Sequence, residues 1–207
     1  MSDRYVDHMF VTPLFVTTIT EELRQNIVSE LKSQRKSEKG NQKSFYYWQT
    51  NDQLFLDPEF SDIYNVIKSE ITEVFNYLQI EHDDVIINNM WANITANDYF
   101  HQTHVHPNSY FSGLIYLQVS DNSAPTTFGR PGGIYTMIQP DYKEQMREQQ
   151  IQYLSKPENG KMIMWDSSIP HMVSNSTDFK DDERITLAFT ALPKSEVKKP
   201  YSKINFT

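Results

Sequence analysis

The hydrophobic period of this chain changes at Val85, and that change limits its architecture more than any motif does. From there on, apolar residues alternate or run in short stretches bounded by turn residues, which is the pattern of strands. Candidate strands are "VIINNMWANIT" from Val85, "YFSGLIYLQV" from Tyr110, "TTFGR" from Thr126 and "GIYTMIQ" from Gly133. "IQYLS" from Ile151, "KMIMWD" from Lys161, "HMVSN" from His171 and "RITLAFTAL" from Arg184 complete the set. The breaks "SDNSAP", "RPGG", "KPENG" and "FKDDE" separate many of them. About eight short strands with turns between them predict a double-sheet jelly roll or related barrel. The acidic, Gln-rich "PDYKEQMREQQ" from Pro140 reads as either a short helix or an insertion loop.

The first third has the helical period instead. "TITEELRQNIVSELKS" offers Thr18 as N-cap with Glu21 three residues on, a capping box, and Leu23, Ile27 and Leu31 then follow at helical spacing. A second helix is expected at "DPEFSD", with Asp57 as cap and Pro58 at the first helical position. Its apolar stripe is Phe60, Ile63, Ile67, Ile71, Val74 and Leu78. Between the two, "SFYYWQTNDQLFL" is too aromatic for plain solvent and reads as a strand or packed loop. Apolar stripes of this kind usually pack on a sheet, so the helices are expected to buttress the β region. The chain has 207 residues, no internal repeat and no dividing linker, which predicts one domain. Residues 1–84 form its mostly helical support and residues 85–207 its jelly-roll core. The fold class expected is mainly β (α+β), a jelly roll buttressed by N-terminal helices.

Composition excludes several functions. A net charge of -8 argues against a phosphate-binding surface, so no nucleic-acid partner is expected. The one basic run, "KSQRKSEKGNQK" from Lys32, is interrupted by Glu38 and Gly40 and reads as a solvated helix end and loop. With no cysteine there is no disulfide, thiolate nucleophile or Cys-zinc site. No apolar run approaches the ~20 residues of a membrane span, so no membrane partner is expected. The N-terminal "MSDRYVDHMF" lacks a signal-peptide layout, which predicts a cytoplasmic protein.

Against this background "HQTHVHPNS", His101 to Ser109, stands out. It holds three of the six histidines. In an extended segment residues i and i+2 share a face, so His104 and His106 can converge on one point. Neutral imidazoles facing each other suit a divalent transition metal. His171, at the start of a later strand, is placed to give a third ligand, leaving other positions on the metal open for chemistry. His101, three residues upstream of His104, should not share that face. It reads as standing behind the ligands, lining a pocket, or simply exposed. His8 and His82 read as ordinary surface or core residues. Thirteen positions after His171, "RITLAFT" puts Arg184 and Thr186 on one strand face. A guanidinium fork with a hydroxyl suits a carboxylate, and beside a metal it suits the far carboxylate of a 2-oxo diacid.

Together, "ANITANDYFHQTHVHPNSYFSGLIYLQVS" and "KPENGKMIMWDSSIPHMVSNSTDFKDDERITLAFT" resemble the 2-oxoglutarate/Fe(II)-dependent oxygenase superfamily. The nearest resemblance is to a bacterial and phage branch carrying "HxHP", "SG" with "YL", "PxxG", "H" and "RxS/T". The resemblance covers about the last 120 residues, and its specificity lies in the order and spacing of the motifs. It implies a double-stranded β-helix binding Fe(II), with 2-oxoglutarate as cosubstrate. In it His104 and His171 would be iron ligands, and Arg184 with Thr186 would hold the C5 carboxylate of 2-oxoglutarate. Tyr116 falls where relatives often place a cosubstrate-contacting tyrosine, although a packed core tyrosine is an equal reading. His106 departs from the wider superfamily, whose second ligand is Asp or Glu. It either ligates directly, acts through water, or does not ligate. Trp91, Asn93, His101, Asn108, Arg130 and Trp165 are candidates for the substrate side.

The expected activity is hydroxylation of a small-molecule or peptide substrate with release of succinate and CO2, in the host's cytoplasm if the gene is a phage's. Two alternatives remain at the level of sequence. One is a cupin-like metal-binding protein or sensor that does not turn over 2-oxoglutarate. The other is a barrel used for protein contact through Tyr46, Tyr47 and Trp48.

Overall fold

Two antiparallel sheets pack face to face in the computed structural model, and two helices cover the outer side of the larger one. The structure describes residues 5, 7, 11–37, 39–44, 47–96, 99–132, 141–144, 146–147, 150–174, 183–199 and 202–205. The N-terminal part contributes β1 (Phe15–Thr18), α1 (Glu21–Lys36), β2 (Asn41–Ser44), β3 (Tyr47–Gln49) and α2 (Ser61–Tyr77). There follow β4 (Asp84–Ala96), β5 (His101–His104), β6 (Phe111–Gln118), β7 (Thr126–Gly129), β8 (Gln152–Ser155) and β9 (Lys161–Asp166). β10 (His171–Val173), β11 (Glu183–Lys194), β12 (Glu196–Lys199) and β13 (Ser202–Asn205) complete the described elements. The larger sheet runs β1-β9-β6-β11-β4-β3-β2, the smaller one β5-β10-β7-β8, and β12 pairs with β13 alone. This is the jelly roll that the strand spacing predicts.

Strand periodicity divides the core into two layers. On the outer face Met90, Ala92 and Ile94 of β4, Ile115 and Leu117 of β6, Met162 and Met164 of β9, and Leu187 and Phe189 of β11 are buried against the helices. On the inner face Leu114, Tyr116, Ile163, Trp165 and Ala188 meet Phe128 of the smaller sheet. The central strands β6 and β11 are therefore buried on both sides and read as nearly continuous apolar runs. A bulge keeps β4 in phase. Thr190 faces Asn89 and Ala191 faces Ile87, leaving Asn88 as the extra residue, and the Thr190 hydroxyl donates to Asn88 Oδ1 at 2.9 Å. Without that insertion Val85 and Ile87 could not share a face with Met90, Ala92 and Ile94.

The two helices form, with shifted boundaries. Thr18, the expected N-cap, is instead the last residue of β1, paired with Lys161. Thr20 caps α1, its Oγ1 accepting from Leu23 N at 3.3 Å. Asp57 and Pro58 open a single 3-10 turn, Pro58–Phe60, rather than α2, and the Asp57 side chain makes no cap bond. Phe60 N donates to Asp57 O, which closes that turn and sends Phe60 fully into the core before α2 begins at Ser61. The predicted stripe is buried from Phe60 to Val74, with Leu78 partly buried and Phe75 an added core residue. α1 is fastened to β6, where Arg24 Nη1 donates to Leu117 O at 2.5 Å and Lys32 Nζ to Gln118 Oε1 at 2.8 Å.

The N-terminal support region thus supplies three strands to the larger sheet besides its helices. The tail of the basic run, expected as loop, becomes β2 because Asn41 and Gln42 pair with Gln49 and Trp48. "YWQ" is the strand β3, and Leu54–Leu56 is a 3-10 turn. "GIYTMIQ", His8 and Tyr46 lie outside the described residues, as does part of "PDYKEQMREQQ".

Candidate metal centre

β5 and β10 are neighbours in the smaller sheet, and their register sets His104 directly opposite His171. His106 lies just past the end of β5. Its N–H donates to Ser167 O at 3.2 Å, and its carbonyl accepts from the Ser109 hydroxyl at 2.9 Å. Ser109 Oγ also lies 2.9 Å from Ser167 Oγ, and Ser112 Oγ lies 2.7 Å from that same atom. Three serines therefore tie the loop carrying His106 to the turn before His171. The imidazole centroids are 5.1 Å apart for His104 and His106, 4.2 Å for His104 and His171, and 5.0 Å for His106 and His171. One donor atom from each ring lies within 4.8 Å of the others, so the three fit around one ion. Among the described residues no carboxylate joins the group.

Backbone carbonyls fix which nitrogens face that point. His104 Nδ1 lies 2.7 Å from Gln102 O and His171 Nδ1 lies 3.0 Å from Ile169 O. A carbonyl only accepts, so each Nδ1 carries the proton and each Nε2 offers its lone pair. Burial pushes the His171 pKa down to about 3, against its bond to Ile169 and with further lowering by the neighbouring histidines. Burial first, then His104, brings His106 down to about 4. Both rings are neutral at pH 7, the form a metal requires. Trp165 stands edge-on to His171 at 4.9 Å, Phe128 lies 6.0 Å from it, and Trp91 lies 5.6 Å from His106.

His101 is brought to this group despite its spacing. Val173 pairs with His101 while His171 pairs with His104, so β5 carries an extra residue between them. That bulge turns both side chains the same way, and the exposed His101 ring stacks 4.1 Å from His104.

Arg184 and Thr186 share the inner face of β11. Thr186 pairs with Tyr116 on one side and Asn93 on the other. Arg184 is 7% exposed, and its Nε and Nη2 have no hydrogen-bond partner. Its Cζ lies 5.5 Å from the Tyr116 ring centroid, and burial holds the guanidinium pKa below its ordinary value. A buried cation with unused donors is costly unless an anion completes it, so this donor set suits a carboxylate. The Tyr116 hydroxyl is committed to Thr126 Oγ1 at 2.7 Å. Asn93 is half-buried and accepts from the Tyr47 hydroxyl at 2.9 Å. Asn108 is exposed in a left-handed turn, φ 60°, with its carbonyl accepting from Asn88 Nδ2 at 3.2 Å. Arg130 is exposed just past β7. The serine network had no signature in the sequence, because single serines in loops are too common to signal a role.

Residues 89–190 match the family model described as "Putative 2OG-Fe(II) oxygenase". No curated protein matches the chain significantly. Among solved structures, a Pseudomonas putida prolyl-4-hydroxylase has a TM-score of 0.64 at 10% identity, covering 89% of this chain and 94% of that one. The epimerase SnoN, in complex with Fe3+, alpha ketoglutarate and nogalamycin RO, gives 0.65 at 8% identity, with 88% and 80% covered. HygX from Streptomyces hygroscopicus, with nickel, 2-oxoglutarate and hygromycin B bound, gives 0.58 at 12% identity, with 88% and 83% covered. At these identities the likeness establishes the shared fold.

Proposed function

We propose that this chain, whose residues 89–190 match the 2OG-Fe(II) oxygenase family model, is an Fe(II)- and 2-oxoglutarate-dependent dioxygenase. The observation that carries the proposal is the buried Arg184, with unused donors, on the inner face of the barrel that also holds three clustered histidines. One group suits the far carboxylate of a 2-oxo diacid, and the other suits the metal that its near end chelates. When bound, Fe(II) and 2-oxoglutarate activate dioxygen, releasing succinate and CO2 and oxidising a C–H bond of the substrate.

The chain's own contribution is geometry and environment. His104, His106 and His171 would hold the iron through nitrogens whose orientation is set by backbone carbonyls and the serine network. Arg184, with Thr186 beside it, would grip the C5 carboxylate, and the Tyr116 ring would wall that end. Trp91, Phe128 and Trp165 keep water away from the metal face. Asn93 and His101 are the best placed of the substrate-side candidates, one on the inner face beside Thr186 and the other against His104. The primary substrate would be a small molecule or a peptide. No described helix is long and apolar enough to cross a membrane, and we place the protein in the cytoplasm.

One observation favours a second reading. An all-histidine group carries one negative charge fewer than the 2-His-1-carboxylate triad, which suits a metal-binding sensor that holds the diacid without turnover. Anaerobic addition of Fe(II) and 2-oxoglutarate should give the weak visible charge-transfer band of a chelated complex, and admitting oxygen should form succinate. A band without succinate supports the sensor, and absence of the band overturns the proposal.

A further inference from the structure

Folded interiors seldom leave a buried N–H without an acceptor, and each exception calls for a cause. Among the described residues four buried side-chain atoms lack a partner: Ser120 Oγ, Trp165 Nε1, and Nε and Nη2 of Arg184. The Arg184 atoms have a proposed ligand. Trp165 has none.

Trp165 is 2% exposed on β9 and shares its cluster with Leu114, Tyr116, Phe128, Ile163, Ile169 and Ala188. Of these side chains only Tyr116 has an oxygen, and its hydroxyl is bonded to Thr126. The indole instead stands edge-on to His171, with centroids 4.9 Å apart and planes at 69°. It is edge-on to Phe128 as well, at 5.0 Å, so two aromatic neighbours hold the ring in place. A rigid, unsatisfied donor beside a metal-site histidine is ready-made for an oxygen that arrives with a ligand.

Resting on the function proposed above, we infer that Trp165 is a cosubstrate-binding residue, its indole N–H donating a hydrogen bond to an oxygen at the metal-chelating end of 2-oxoglutarate. Two sets of orphaned donors would then read the diacid, Arg184 at its far carboxylate and Trp165 at its near end. The arrangement favours ligands with an anionic oxygen at both ends over monocarboxylic 2-oxo acids. It also makes the orphaned N–H a cost borne only by the empty protein.

Trp165→Phe keeps an aromatic ring and removes the donor. Losing one hydrogen bond to a charged group should weaken 2-oxoglutarate binding to the anaerobic Fe(II) protein about 10- to 150-fold, with Fe(II) affinity unchanged. The rise in Tm on adding 2-oxoglutarate should shrink in the variant, each variant being compared with its own ligand-free melt. The charge-transfer band at saturation should shift in Trp165→Phe but keep its position in Arg184→Lys, since only the former acts at the chelating end. Equal affinity and an unshifted band would overturn the inference. If the phenylalanine variant fails to fold, 3-benzothienylalanine at position 165 replaces the N–H by sulfur in the same shape and should give the same loss. A parent that shows no band would refute the function itself rather than the role of Trp165.

Discussion

At the scale of single residues, the metal centre is controlled by which protons the imidazoles carry. With Nδ1 of His104 and His171 donating to carbonyls, removing a ring would remove a proposed ligand whose direction is fixed in advance. His171→Ala should therefore lose Fe(II) affinity by more than the roughly 10- to 100-fold typical of losing a residue that merely supports a ligand. The fold should be retained, because the strand itself is paired on both sides. His106→Asp restores the commoner carboxylate and should keep iron, whereas His106→Leu should not. Dialysis against a mild chelator followed by iron analysis separates the variants. Stoichiometric iron in His171→Ala would refute the ligand assignment.

The same burial predicts a pH dependence. In the metal-free fold His106 and His171 titrate near 4 and 3, against 6.5 for an ordinary histidine. Between those values the unfolded chain binds more protons than the folded one, so acid favours unfolding. Stability is full above about pH 6.5 and declines as pH falls toward 4, by at most about 1.4 kcal/mol per pH unit from His171. Thermal melts of parent and His171→Asn from pH 7 to 5 test this, and the variant should lose Tm less steeply. Parallel curves would contradict it.

At the scale of elements, close contacts between strands and helices hold the barrel in shape. Gly113 on β6 faces Phe189 on β11, and a Cβ built at Gly113 would lie 2.1 Å from the Phe189 ring. Phe189 is fully buried and has nowhere to retreat. Gly113→Ala should cost about 1–3 kcal/mol by overpacking, or a fall in Tm of about 2–12 °C in a chain of this size. Phe189→Leu in the same background should recover part of it, and additive losses would show that the ring is not the cause. The "PENG" turn acts in the same way at the far end of β6. Gly160, at φ 84°, donates its N–H to Tyr116 O and accepts from Ile19 N, so one turn fixes both the end of β6 and the entry to α1.

At the scale of the whole molecule, what was legible in the sequence is what strict periodicity and rare residue types encode. Most described strands from Val85 showed themselves as alternating or short continuous apolar runs between turn residues, although β12 and β13 did not, and the triad showed itself by histidines clustered in a chain with only six. What was not legible depends on pairing between distant segments. Thr18 could not be known as a strand residue until Lys161 lay beside it, and it left the capping role to Thr20. The β5 bulge that turns His101 toward His104 exists only through the register with β10. The orphaned donors of Arg184 and Trp165 are likewise a property of the packed interior, since no local sequence says that an acceptor will be missing.

If the histidine triad and Arg184 form one site for a metal-chelating diacid, Arg184→Lys should weaken the diacid without disturbing the metal. Lysine keeps the charge but lacks the planar fork, so one charge-assisted hydrogen bond is lost, worth about 1.5–3 kcal/mol. Titrating 2-oxoglutarate into the anaerobic Fe(II)-loaded proteins should show about 10- to 150-fold weaker binding to the variant, with Fe(II) affinity nearly the same in both. Equal 2-oxoglutarate affinities would show that Arg184 does not anchor the diacid.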